Sequence, residues 1–285
     1  MGPNRISSYA RTLRRAAIVL GLAGAAVLLW LDWRQRHPPD IQVFDVGARA
    51  RRISAESPDK DSLVDTYEFA RGGSAHLHIF GRRAICHLHL HERTEEATIP
   101  VMGSPLVTQR FGERGAAQVK TARYAEGTMV VSPRDCAHEW VNASQTEGHA
   151  SLVFTLGEAF PGNLFVAPTD PRILAAGAPH VVDLPEDLER FARGSDRLRQ
   201  VIVPVTLGEI SEVLLKDSFV VAPRAQTVTF VYAVAGKGHV EGAERIALGP
   251  KILVVARSSP ELKIVADRDG PLALYIVRMP KKGDS

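Results

Sequence analysis

Cys86-His87-Leu88-His89-Leu90-His91-Glu92-Arg93-Thr94-Glu95-Glu96 decides the fold, together with the later run Gly127-Thr128-Met129-Val130-Val131-Ser132-Pro133-Arg134-Asp135-Cys136-Ala137-His138-Glu139-Trp140-Val141-Asn142. Successive side chains of a strand point to opposite faces, so the first run predicts His87, His89 and His91 on one face and Leu88 and Leu90 on the other. Two imidazoles on one strand face can reach a single metal ion. A His-x-His pair alone is a weak sign, because satisfied core histidines produce it too. Here Glu96 follows as His91-x4-Glu96, Gly103 as Glu96-x6-Gly103, and Gly81 lies upstream at a turn. The later run reads G-x5-P-x-D-x2-H-x3-N and contributes His138.

Working outward, β-rich runs at 76–80, 84–91, 106–111, 117–124, 128–132 and 150–156 are separated by glycine, proline and charged turns. Many short strands without intervening helices indicate an antiparallel barrel or sandwich. Residues 183–200 read as a soluble helix: Asp183 is a helix cap, Glu186 completes a capping box, and Leu184, Leu188 and Phe191 recur at helical spacing. Gly194 weakens its second half. A second β-rich series then runs from 201 to 280, so two β domains joined by a helical connector over 169–200 are expected.

The two spaced runs resemble the motifs of the cupin superfamily, G-x5-HxH-x3,4-E-x6-G and G-x5-PxG-x2-H-x3-N, over residues 63–168. The resemblance implies an all-β double-stranded β-helix, or jelly-roll, barrel whose metal ligands are His89, His91, Glu96 and His138. Gly81 has the motif distance to His87 rather than to His89, so His87 with His89 remains an alternative pair. In the better-fitting register His87 stands behind the ligands or in the pocket wall. Asp135 stands where the motif has glycine, at a tight turn where aspartate tolerates unusual backbone angles. The second half, tested on the same template, places Ala222, Arg224, Thr229 and Pro260 at the ligand positions; none replaces the set, so a degenerate, metal-free second cupin-like domain is expected, packing on the first, closing its pocket or forming a homodimer contact.

Ala16 to Leu31 is an uninterrupted apolar run with four arginines before it and Arg34 and Arg36 after it. It fits a signal anchor spanning 16–33, with the N-terminus inside and 34–62 as an extracytoplasmic tether with room for one strand in the apolar stretch 41–46, periplasmic in a bacterium. No small-x-small cleavage site follows, although a cleaved, secreted form stays open. The charge distribution supports this division. Residues 1–36 carry +5, and the whole-chain +3 less this +5 leaves −2 for the remainder. Nothing in the soluble part asks for nucleic acid.

A set of three histidines and one carboxylate suits Fe(II) or Mn(II), and also Zn, Ni or Cu, and leaves open positions for small ligands. The expected activity is that of a mononuclear dioxygenase-type oxidoreductase acting on a small molecule. A redox-neutral isomerase, decarboxylase or lyase with His87 or Glu95 as proton carrier is the second reading, and a non-catalytic metal or metabolite sensor the third. Trp140 and Asn142 share the parity of His138 and are expected near the pocket. His76 and His78 read as ordinary strand residues. Cys86 is expected to alternate away from the histidine face, and a Cys86–Cys136 disulfide stays open in an oxidising compartment.

Overall fold

The computed structural model describes residues 40–280 apart from 71, 158–161, 243 and 258–260. The expected membrane segment at 16–33 lies outside the described residues, and no helix among them is long and apolar enough to cross a membrane.

β1 (Ile41–Asp45) leads into α1 (Val46–Glu56), whose first turn is capped by the Asp45 carboxylate, accepting from the Ala48 amide at 2.7 Å. Next come β2 (Leu63–Ala70), β3 (Gly73–Phe80), β4 (Ile85–Leu90), β5 (Glu95–Met102), β6 (Leu106–Glu113) and β7 (Ala116–Arg123). They are followed by β8 (Met129–Ser132), β9 (Ala137–Val141), β10 (His149–Leu156), β11 (Leu164–Phe165) and, after a 3-10 turn at Pro171–Ala175, β12 (His180–Val182). α2 (Leu184–Arg193) separates these from β13 (Leu198–Val203), β14 (Glu209–Leu215), β15 (Ser218–Val221), β16 (Thr227–Ala235) and β17 (Gly238–Glu241). The chain closes with β18 (Ile246–Leu248), β19 (Ile252–Ala256), β20 (Leu262–Ala266) and β21 (Leu272–Pro280).

Four sheets result, with strand orders β11-β4-β9-β6-β7, β12-β8-β5-β10-β3-β2, β1-β19-β16-β21-β14-β13 and β15-β20-β17-β18. Their side chains show that they stack in that order. In β3, Ala75, Leu77 and Ile79 join Ile210, Phe230 and Tyr275 of the third sheet in one large apolar core. Alternation then turns His76, His78 and Phe80 to the opposite face, the interior of the first barrel. The second barrel, between the third and fourth sheets, is filled by aliphatic side chains such as Val231, Val254, Leu262, Ile264 and Leu274. Of the positions that the template aligns there, Thr229 is buried and Arg224 pairs with Glu209; Pro260 lies outside the described residues.

Two expectations change. Residues 41–56 do not belong to a tether: β1 pairs with β19, Ile41 opposite Ala256, and Val46 and Ala50 of α1 are fully buried in the large core. The helix expected over 183–200 keeps its Asp183 cap, which accepts from the Glu186 amide at 3.2 Å, but ends at Gly194. Beyond that glycine, 198–203 finds more hydrogen bonds as β13 along β14 than a continued helix with one apolar face would offer. β5, which carries Glu96, opens on two glutamates and contains Pro100, yet it runs centrally between β8 and β10.

Candidate metal centre

Beside an apolar cluster of Phe80, Val107, Val130 and Trp140, the first barrel's interior is polar on both walls, and the site lies where these polar parts face each other. From the outer sheet come His89 on β4, His91 just past its end and His138 on β9; Glu96 comes from β5 of the inner sheet. His89 and His138 are cross-strand partners, with ring centroids 4.3 Å apart, and His91 lies 5.1 Å from His89. One donor atom from each of the four lies within 4.8 Å of every other. The turn carrying the second motif is tied to the first by the Asp135 amide donating to the His91 carbonyl at 3.0 Å. Asp135 adopts φ +63°, the left-handed conformation for which the motif's usual residue is glycine. Asn142, expected near the pocket, is not among the residues that line the cavity; it ties neighbouring turns together, donating through Nδ2 to the carbonyls of Gly81 and Glu147.

Each histidine is set to one tautomer. The Nδ1 atoms lie 2.8 Å from the His87 carbonyl for His89, 3.2 Å from the Gly162 carbonyl for His91 and 3.1 Å from the Cys136 carbonyl for His138. Carbonyls only accept, so each Nδ1 carries the proton and each Nε2 presents a lone pair. His91 Nε2 and His138 Nε2 are buried without a hydrogen-bond partner of good geometry, although the Glu96 carboxylate oxygens lie 3.2 and 3.4 Å away. Buried orphan lone pairs beside a carboxylate are costly unless something positive fills the space. The donor set therefore fits a divalent cation.

Electrostatics point the same way. Burial would raise the Glu96 carboxyl, but His138 and His91 facing it outweigh that and hold it well below the carboxylate range. Burial lowers His89 to about 3, helped by neighbouring His138. Burial opposes charge on His91 as well, yet the neighbouring Glu96 carboxylate prevails and raises it. Thr98 donates to Glu96 Oε1 at 2.9 Å and fixes the carboxylate's orientation.

The family model described as Cupin matches residues 63–169. Salicylate 1,2-dioxygenase from Pseudaminobacter salicylatoxidans superposes with a TM-score of 0.57 at 14% identity, covering 84% of this chain and 84% of that one. A variant of that enzyme in complex with gentisate gives 0.57 at 12% identity over 93% and 90% of the two chains. The putative glyoxylate induced protein from Pseudomonas aeruginosa gives 0.50 at 10% identity over 76% and 79%. Residues 63–169 are a cupin domain, and the chain shares its fold with these solved proteins. No functionally curated protein matches its sequence.

The cupin frame does not bring every expected residue to the metal. β4 pairs Cys86 with Trp140 and His89 with His138, so three steps on β4 match two on β9. That one-residue bulge reverses the parity of the strand. It turns His87 out to solvent, exposed, so His87 is neither a ligand nor a pocket wall in this cupin. It also turns Cys86 inward, contrary to the expected alternation, with Sγ 3.7 Å from His89 Nδ1. Glu95, next to Glu96, faces the opposite side of β5 with Ala97, Ile99 and Val101. Its carboxylate accepts from the Thr206 amide at 2.7 Å, the Thr206 hydroxyl at 2.9 Å and the Leu207 amide at 3.0 Å, and so is no proton carrier for the metal cavity. Cys86 and Cys136 are both free thiols, pushed up to about 12 by burial.

His76 and His78 are the residues that sequence reasoning passed over. Both line the cavity beside the ligands, along with Cys86, Trp140 and Ser151. The signal was present: β3 alternates histidine with Ala75, Leu77 and Ile79, and polar residues opposite a fully apolar face mark a strand whose second face lines a polar interior.

Proposed function

We propose that this cupin is a mononuclear metal oxygenase of dioxygenase type, acting on a small molecule with Fe(II) or Mn(II) at His89, His91, Glu96 and His138. The convergence of three preset Nε2 lone pairs and one carboxylate beside a cavity carries this reading. His89, His91, Glu96 and His138 would hold the ion, which would supply open coordination positions for dioxygen and substrate. The chain's own part is positional. The carbonyls of His87, Gly162 and Cys136 hold the imidazoles in their ligating tautomer, Thr98 orients Glu96, and the cavity walls exclude bulk water. A shared fold with a salicylate 1,2-dioxygenase is consistent with this chemistry, while fold alone does not determine it.

The apolar run 16–31 with its arginine flanks supports a membrane anchor that displays the cupin outside the cytoplasm. Resistance of the full-length protein to alkaline extraction from membranes, lost when 1–36 is deleted, tests the anchor.

Full-length protein purified anaerobically and supplied with Fe(II) should bind about one ion per chain and consume oxygen with one of a panel of small phenols, thiols and enols. His91→Ala should lose the metal. Failure to bind metal, or retention of it by His91→Ala, refutes the reading. Turnover with Zn(II) and without oxygen would select a redox-neutral isomerase, decarboxylase or lyase instead, and tight binding without turnover a sensor.

A further inference from the structure

A cleft of about 530 Å³ opens between the two barrels and shares no lining residue with the metal cavity, whose volume is about 20 Å³. Gly72 and Gly157 line it from the ends of β3 and β10, and Leu207, Glu209, Arg224 and Arg278 line it from the second barrel. Its size lies in the range of small-molecule sites, roughly 300–1,000 Å³, and junctions between domains are where such sites concentrate.

The charges in this lining do not balance. Arg224 and Arg278 both pair with the carboxylate of Glu209, Arg278 through Nη1 at 3.4 Å. No other acid among the described residues lines the cleft, which leaves a surplus of one positive charge. The Arg278 side chain is only 21% exposed. A guanidinium has five N–H donors. In Arg278, Nη1 reaches Glu209, Nη2 donates to the Ala222 carbonyl at 2.9 Å, and Nε is buried with no hydrogen-bond partner among the described residues. An exposed ion pair leaves its unused donors to water; here the donors are partly withdrawn from water and left unpaired, which is costly.

The backbone around the cleft is already committed. The Thr206 and Leu207 amides donate to Glu95, and the Gly157 amide donates to the Gly72 carbonyl at 2.7 Å. Recognition of an anion therefore falls to the two guanidinium groups, whose planar forks match a carboxylate. A single carboxylate balances the surplus charge, whereas a phosphate monoester, at about −2 near neutral pH, exceeds it. Beside the charged groups, Leu207 and Pro280 offer apolar surface to the rest of a ligand.

We propose that this cleft binds a small organic monocarboxylate, its carboxylate held by Arg224 and Arg278 and its apolar body resting against Leu207 and Pro280. The site is separate from the metal centre, and the inference goes beyond the metal-oxygenase reading without resting on it.

Benzoate is a suitable probe, and benzamide has nearly the same shape without the charge. Titration calorimetry of the full-length protein at low ionic strength should show saturable benzoate binding, with benzamide at least about tenfold weaker, a step of ~1.4 kcal/mol. Arg224→Gln, at a side chain that is half exposed, should weaken benzoate by a similar factor without disturbing the fold. Glu209→Gln removes the competing carboxylate and should tighten benzoate severalfold. His138→Ala should bind benzoate as the unaltered protein does, because His138 lies outside the cleft. Absence of benzoate binding, equal affinity for benzamide, or unchanged affinity in Arg224→Gln overturns the inference, as does weaker binding in Glu209→Gln. Tighter binding of phenyl phosphate than of benzoate overturns the match to a single charge. Loss of benzoate in His138→Ala would put the ligand at the metal centre and likewise overturn the assignment.

Discussion

Glu95 and Glu96 are chemically identical neighbours that the strand sends to opposite faces of one sheet, and their replacement should give opposite phenotypes. Glu96→Ala removes the only carboxylate among the four candidate ligands and should abolish stoichiometric metal binding. Glu95→Ala should leave metal content intact and lower stability. The Glu95 carboxylate, 4% exposed, accepts three hydrogen bonds from Thr206 and Leu207, which lie in the link between β13 and β14. Its loss orphans two backbone amides and a hydroxyl, at roughly 1–3 kcal/mol for each group left dry. Thr206 is exposed, however, so water can reach part of the vacated site, and the lower end applies: about 3 kcal/mol in total. For a unit of this size that is a fall of on the order of 5–10 °C in Tm. Differential scanning calorimetry and metal analysis on the same preparations provide the assay. A Glu95→Ala protein that loses its metal at unchanged Tm, or a Glu96→Ala protein that keeps its metal, would refute the assignment of the two faces.

His87→Ala should change neither metal content nor, beyond ~0.5 kcal/mol, denaturant stability, because the bulge in β4 puts the ring in solvent; a lost metal would show the bulge to be misplaced. Tyr275→Phe deletes a buried hydroxyl that donates to the Gly127 carbonyl at 2.9 Å and the Val182 carbonyl at 3.1 Å, and urea unfolding should show a loss of roughly 1–3 kcal/mol. His76 and His149 are lowered by burial to about 4 in the folded protein, below the ~6.5 of an unfolded chain, so the unfolded state takes up protons first as pH falls. Stability of the metal-free protein should therefore be full above pH ~6.5 and decline toward pH 4, by about 3 kcal/mol per histidine, in chemical denaturation at stepped pH. Metal affinity should also fall on acidification, by about tenfold per pH unit once His91, whose affinity for a proton is raised by Glu96, is protonated in the metal-free state. Competition with a chromophoric chelator would measure it.

The ligands were legible because their spacing is local: two short motifs fix four residues, and the structure brings all four together. What escaped depends on distant pairing. Whether β4 contains a bulge is decided by its register against β9, about fifty residues away, so simple alternation misplaced both His87 and Cys86. The first strand and helix looked like linker because few of their residues are apolar; Val46, Ala50 and Phe44 suffice once the second barrel offers them a surface. His76 and His78 were undervalued for a different reason, since their motif partners lie on other strands and not downstream in the chain.

The division of ligands between walls has a mechanical consequence. Three come from the outer sheet and one from the inner sheet, which is itself clamped against the second barrel. A metal ion there is a rivet through the first barrel, joining a leaf that is backed on one side only to a leaf backed on both. Deuterium uptake should register its loss unevenly: amides of β4, β9 and β6 would exchange faster in the metal-free protein, while those of β16 and β21, two layers away, would keep their pace.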